Sequence, residues 1–301
     1  MDWRNIVVKI LITGSRGQLG TQLIEVLQLG RSELGSISEL YNNADILGVD
    51  IDELDITNFS AVKDRVSLFN PDIIFNCSAY TDVDGCETNT ELAMKVNAIG
   101  VRNLAIAAEQ VRAKLVHIST DYVFSGTGHN PFSEYDQPAP VSVYGKSKLL
   151  GEEYVKSFST QYFIIRTSWL YGHYGKNFVK TIMRAAKERG SLEVVDDQRG
   201  NPTNAEDLIY HLLALAITDE YGIYHCTGGG ECSWYDFACR IVELANIPCS
   251  VTPIDSTKSN RAAKRPAYSA LDNMMLRCSI IGDKMRPWEE ALKAFLLKYK
   301  G

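Results

Sequence analysis

The chain has 301 residues, 45% of them apolar, and a formal net charge of −6. That length suffices for one large core or two modest ones, and a mildly acidic balance excludes a protein that coats nucleic acid. No apolar stretch approaches the roughly 20 residues of a membrane helix, and the seven cysteines, odd in number and without a C-x-x-C pair, read as reduced thiols of a cytoplasmic protein rather than as a disulfide framework or a zinc site.

The run Ile6 to Thr13 is apolar but carries Lys9 and leads straight into Gly14-Ser-Arg-Gly17-Gln-Leu-Gly20, which predicts a buried strand rather than a signal peptide. Leu19, Leu23, Val26 and Leu27 follow at helical spacing. Strand, glycine turn and helix is the order that aims backbone N–H groups at a pyrophosphate, although G-x-x-G-x-x-G departs from the usual dinucleotide spacing. A polar, broken stretch from Gly30 to Asp45 precedes a second strand, Ile46 to Val49, closed by Asp50. An acid there can accept bonds from the adenosine ribose and favours NADH, whereas Arg16 in the glycine loop can meet a 2′-phosphate and favours NADPH. The cofactor preference stays open between the two. Asp55 and Ile56 follow, and Asp55 reads equally as an adenine neighbour or a solvated loop residue.

Asp72 to Cys77 predicts a third strand, ended by the small residues of Ser78-Ala79-Tyr80-Thr81 that let a cofactor approach the backbone. Leu92, Val96, Ile99, Leu104 and Ala108 mark one helix within Asn89 to Arg112, and Lys114 to Ser119 a fourth strand. Alternating strands and helices imply an α/β fold, a doubly wound parallel sheet of Rossmann type whose ligands lie beyond the carboxyl ends of the strands. Thr120 and Asp121 begin at such an end, and the Gly- and Pro-rich loop Phe124 to Pro140 leads from them to Tyr144-Gly-Lys-Ser-Lys148. A phenol is a weak acid at neutral pH. One helical turn sets Lys148 beside Tyr144, where an ammonium can stabilise the phenolate while the phenol exchanges a proton with a substrate oxygen. Thr120 can orient the same carbonyl.

Beyond Tyr162 to Thr167, another strand, the segments divide. Some return to the sheet, roughly 191–227, so that residues 1–166 with that return form a dinucleotide-binding domain; 167–301 form mainly a smaller α/β substrate domain. Trp169 can stack on a base or pack at the domain junction. Lys258 to Tyr268, with Arg261, Lys264, Arg265 and Pro266, is the basic exception in an acidic chain and suits a diphosphate as well as solvent. The five histidines lie on separate elements without metal spacing.

Taken together, these motifs resemble the extended short-chain dehydrogenase/reductase family. The likeness rests on Gly14-x-x-Gly17-Gln-Leu-Gly20, Ala79-Tyr-Thr81-x-Val-Asp84-x-x-Glu87, Ser119-Thr-Asp-Tyr-Val-Phe124 and Tyr144-x-x-x-Lys148. It continues through Arg166-Thr-Ser-Trp169-Leu-Tyr-Gly172, Asn177-Phe178, Asp197-Gln-x-Gly-x-Pro-Thr203, Ser233-Trp-Tyr-Asp236 and Arg265-Pro266, and so covers nearly the whole chain. Several motifs are those of the branch that reduces the C4 keto group of dTDP-linked 6-deoxy sugars. The resemblance implies Thr120, Tyr144 and Lys148 as catalytic, with Lys148 also on the nicotinamide ribose. It implies Gly17, Gln18, Leu19, Asp50, Asp55, Ile56, Ala79, Tyr80 and Thr81 around NADH or NADPH, beside Gly14 and Arg16. Thr120, Asp121, Trp169 and Asn177 would touch a nucleotide-sugar substrate. Tyr80 replaces an expected histidine, and Gln22 a glutamate that helps some relatives bind magnesium between subunits. No metal is therefore expected, and a homodimer only without that bridge. Competing readings are a sugar-nucleotide epimerase or dehydratase, the latter disfavoured by Asp121-Tyr122 where Asp-Glu would be needed, and a non-catalytic regulatory subunit on the same fold.

Overall fold

The computed structural model describes residues 7–259 and 261–299. Ile6, the start of the first apolar run, and Asn260, inside the basic stretch, lie outside the described residues. The framework follows the alternation of the sequence: β1 (Lys9–Thr13), α1 (Gln18–Leu29), β2 (Asp45–Val49), α2 (Phe59–Phe69), β3 (Ile73–Asn76), α3 (Val83–Thr88), α4 (Val101–Val111), β4 (Lys114–Thr120), α5 (Val143–Phe158) and β5 (Tyr162–Thr167). After them come α6 (Phe178–Arg189), β6 (Ser191–Val195), α7 (Ala205–Ala216), β7 (Gly222–His225), α8 (Trp234–Leu244), β8 (Ser250–Ile254) and α9 (Trp288–Lys298).

Six strands form one parallel sheet in the order β7-β5-β4-β3-β1-β2. Side chains alternate across a strand, so Ile10 and Ile12 of β1 enter a core with Leu23, Val26, Leu208 and Leu212 of α1 and α7. Leu11 enters the opposite core with Ile74, Leu104, Leu115 and Ile164. Both faces are covered, which is why these strands read as unbroken apolar runs. A third core joins α6, α8 and α9 through Tyr171, Ile182, Phe237, Ile241, Leu292 and Phe295.

The span expected to return to the sheet divides in the structure. Helix α7 and β7 do return, with β7 pairing to β5 at the edge. Strand β6 instead pairs in parallel with β8 in the second layer. Its alternating pattern, with Leu192 and Val194 buried and Ser191 and Glu193 exposed, marks a sheet covered on one face only.

The helix expected over Asn89 to Arg112 is also divided. Thr90–Met94 is α-helical, Lys95–Gly100 winds as a π-helix, and α4 resumes at Val101. The wider turn rotates the apolar stripe: Leu92 is 45% and Ile99 38% exposed, whereas Leu104 and Ala108 are fully buried. Among the described residues no helix is long and apolar enough to cross a membrane.

Candidate active site

The carboxyl ends of β1, β2 and β3 open onto a cavity of about 330 Å³ lined by Gly14, Gly17, Asp50, Leu54, Asp55, Ile56, Cys77, Ser78, Ala79 and Tyr80, among others. Gly14 makes the turn possible. Its φ is +67°, and a Cβ there would stand 2.8 Å from the backbone of Cys77. Helix α1 then starts at Gln18 with Gly17 as a cap that offers no side-chain bond, and with no acidic residue in the first turn. Helix α1 thus begins at the cavity wall, beside Gly17, with no carboxylate of its own capping its N–H groups, an arrangement that receives a phosphate. Shape and charge together fit a dinucleotide.

The polar rim of this cavity is bonded to itself. Asp50 accepts from the Arg16 N–H at 3.0 Å and the Ile51 N–H at 2.8 Å, tying β2 to the glycine loop. The Arg16 guanidinium lies outside, paired with Asp52 at 2.9 Å and Glu53 at 3.0 Å. Exposed pairs of this kind are worth little and give way easily. Asp55 accepts from Thr57 N at 2.9 Å, as a loop aspartate does. Gln18 reaches the second layer, donating to the Leu170 carbonyl at 3.2 Å, and Leu19 is buried beneath the loop. Ala79 and Tyr80 line the wall, while Thr81 is exposed at its edge.

Thr120, Tyr144 and Lys148 gather beyond the end of β4. Ser142 starts α5 by accepting from Gly145 N at 3.1 Å, which puts Tyr144 in the first turn and Lys148 one turn on. Gly145 must be glycine because a Cβ would lie 2.1 Å from the Tyr122 carbonyl oxygen. The Tyr144 ring meets Tyr122 edge to face at 5.6 Å. Burial pushes the Tyr144 phenol above its ordinary range, and the Thr120 hydroxyl is the neighbour that opposes this. Thr120 in turn donates to Asp121 at 3.0 Å. Asp121 is 2% exposed, its second oxygen has no partner among the described residues, and burial pushes its carboxyl up to about 6.

Lys148 departs from the expectation. Its ammonium donates to the Ile118 carbonyl at 2.6 Å instead of facing the phenol, and it is not among the leading influences on Tyr144. Burial lowers Lys148 to about 8, with Glu152 and Cys77 opposing that shift. Cys77 lines the dinucleotide cavity.

Three positioning groups escaped the sequence reading. Asn97, in the π-helical turn and fully buried, holds the Tyr80 peptide from both sides: Oδ1 accepts from Tyr80 N at 2.8 Å and Nδ2 donates to Tyr80 O at 3.0 Å. Asn97 Nδ2 also donates to Ser147 Oγ at 3.0 Å, and Ser147 donates to the Tyr144 carbonyl at 2.8 Å. Glu87 of α3 accepts from Val143 N at 2.8 Å, steadying the start of α5. Glu152 is buried one turn past Lys148. Glu87 stood in a quoted motif without a role, and the only signal at Asn97 and Glu152 was polarity on a face that turns inward.

In the second layer, Trp169 adopts φ +46° and stacks on Trp234 with centroids 3.5 Å apart and planes 8° apart. One face of the indole is therefore already occupied. Asn177 caps α6, accepting from Lys180 N at 3.1 Å, and donates to Gln18 at 3.1 Å and the Gly172 carbonyl at 2.9 Å, so its carboxamide serves structural bonds. The basic stretch is tied down by Asp84, which meets Arg265 at 2.9 Å, Arg261 at 3.3 Å and the Ala263 N–H at 3.0 Å. Those guanidiniums hold the Asp84 carboxyl well below the usual carboxylate range. Among the described residues no group of three or more His, Cys, Asp or Glu side chains is arranged to hold a metal.

The RmlD substrate binding domain family matches residues 8–300. The dTDP-4-dehydrorhamnose reductase of Aggregatibacter actinomycetemcomitans is 40% identical over 301 aligned residues, covering 95% of this chain and 98% of that protein. The spore coat polysaccharide biosynthesis protein SpsK of Bacillus subtilis is 37% identical over 290, covering 96% and 97%. A crystal structure of dTDP-4-dehydrorhamnose reductase from Bacillus anthracis in complex with NADP superposes with a TM-score of 0.91 at 44% identity, covering 98% of this chain and all of that one.

Proposed function

Because this chain belongs to the RmlD substrate binding domain family, we propose that it reduces the C4 keto group of dTDP-4-dehydro-L-rhamnose to dTDP-L-rhamnose at the expense of NADPH or NADH. What supports the reading is that Thr120 meets Tyr144 beyond the end of β4, with Lys148 one helical turn on, in a fold whose glycine turn opens a cavity fit for a dinucleotide. The nicotinamide cofactor, when bound, supplies the hydride. The protein supplies placement and a proton.

Tyr144 is the acid. Its raised pKa keeps the phenol protonated across the neutral range, so that a proton is available when negative charge develops on the C4 oxygen. Thr120 donates to Asp121 and accepts from the Tyr122 N–H, which leaves its remaining lone pair for the Tyr144 phenol; to polarise the substrate oxygen its hydroxyl must turn from Asp121 when substrate binds. Lys148, lowered by burial to about 8 and so still mainly protonated at pH 7, contributes positive charge one helical turn from Tyr144. Asp121 and Trp169 are read as substrate contacts, and Arg265 as a contact for the diphosphate once Asp84 shares it. Residues 1–166 with the returning α7 and β7 form the dinucleotide-binding part, and the second layer the sugar-nucleotide part.

The experiment follows NADPH and NADH absorbance with dTDP-4-dehydro-L-rhamnose and related keto sugar nucleotides. Stoichiometric loss of reduced cofactor is expected. An epimerase or dehydratase that recycles its cofactor would show none, and a regulatory subunit would bind without turnover. Y144F should lower kcat by about 10²- to 10⁴-fold while leaving cofactor affinity nearly unchanged.

A further inference from the structure

Helix α5 carries another charged side chain, Glu152, one turn beyond Lys148. Glu152 has no solvent exposure, and a buried carboxylate survives only when paired and fully bonded. Arg166 of β5, itself 2% exposed, provides the pair: Nη2 donates to Oε2 at 2.7 Å and Nε to Oε1 at 3.0 Å. Ser119 of β4, the neighbour of Thr120, donates its hydroxyl to the same Oε1. The guanidinium lies over the Phe124 ring at 5.1 Å and meets His225 Nε2 at 3.4 Å. His225 Nδ1 faces the Phe132 and Asp272 carbonyls at 3.0 and 3.1 Å, so Nδ1 carries the proton and the ring is neutral, in keeping with burial and Arg166 lowering it to about 3.

We propose that Glu152 is a positioning residue for Lys148, holding the ends of β4 and β5 against α5 and furnishing a fixed negative charge one helical turn from the amine, whose ammonium rests on the β4 backbone next to the Ser119 that Glu152 binds. The inference rests on the reading of Lys148 given above. The surroundings of Lys148 leave little else for that role. The Cys77 thiol at the end of β3 is driven upwards by burial and stays protonated; His117 of β4 is driven well below its ordinary value and stays neutral; Tyr144 stays a neutral phenol; the Ile118 carbonyl offers only a dipole. Burial presses Lys148 down to about 8, and Glu152 is the foremost charge resisting it. Loss of the carboxylate would remove that support and let Lys148 give up its proton at lower pH.

The test measures NADPH affinity by cofactor fluorescence from pH 6.5 to 9.5, which reads Lys148 without turnover, and kcat over the same range. Wild type should lose affinity around pH 8, and K148M should lack that transition. E152Q should move the midpoint down by about one pH unit, the usual effect of removing a close opposite charge, and E152D should bring it back towards wild type. E152Q/R166Q removes both charges and serves if E152Q alone folds poorly. A merely structural role would lower Tm and leave the midpoint in place, so a folded E152Q or double variant with the wild-type midpoint overturns the proposal, as does a K148M variant that keeps the transition. Shifted NADPH midpoints in a protein that turns over no keto sugar nucleotide would sustain this inference while refuting the proposed reaction.

Discussion

Replacing Asn97 by alanine tests whether the π-helical turn exists to hold the dinucleotide cavity to the catalytic helix. The carboxamide is fully buried and makes bonds of 2.8 and 3.0 Å to the Tyr80 peptide and 3.0 Å to Ser147. Each such bond is worth about 1 kcal/mol net, and burying an unpaired partner costs about 1–3 kcal/mol more. Water can reach part of the half-buried Tyr80 peptide but not Ser147, which has no exposure. The expected loss in urea denaturation is therefore about 2–4 kcal/mol. NADPH affinity should fall with it by about tenfold, or ~1.4 kcal/mol, since the freed Tyr80 peptide lines the cavity. N97D should be no better, keeping the acceptor for Tyr80 N while losing both donors and burying a charge. A loss below about 1 kcal/mol with unchanged NADPH affinity would refute the role given to Asn97.

The clamp on the basic stretch and the buried aspartate make two further predictions. D84A releases Arg261, Arg265 and the Ala263 N–H together, so the KM for the keto sugar nucleotide should rise several-fold while NADPH affinity holds; an unchanged KM would dissociate this stretch from substrate. Asp121, lifted by burial from 3.8 to about 6, binds its proton more readily folded than unfolded. Between those values the native state holds the extra proton, so the contribution of Asp121 to stability is full below about pH 4 and is lost as pH rises to about 6. The slope of urea midpoints against pH across that window should become more positive in D121N, and an identical slope in the variant would remove Asp121 from the account.

Much of the sheet was legible because each strand is a short apolar run stopped by glycine or a small polar residue, and because helices alternate with them. Glycine turn, Tyr144 and Lys148 were legible for a related reason, since spacing along one element fixes what shares a face. What stayed hidden depended on distant partners. Nothing near Asp84 announces a bond to Arg265, and nothing near Asn177 announces Gln18. The π-helical turn was hidden because the periodicity of Leu92, Val96 and Ile99 continues plausibly into Leu104, and only the polarity of Asn97 marks the extra residue. The direction of Lys148 was misread because helical spacing sets side chains near each other without deciding that the Ile118 carbonyl will draw the ammonium away.

The Trp169 and Trp234 rings lie nearly parallel at van der Waals distance, with Trp169 held in a backbone conformation that bulky residues seldom adopt. Two indoles so close share their electronic excitation, and their emission depends on remaining stacked. A ligand that draws Trp169 towards itself must part the pair, and relaxing the backbone would favour the parting. The stacked pair is thus an intrinsic optical gauge of the packing around Trp169, readable without any label.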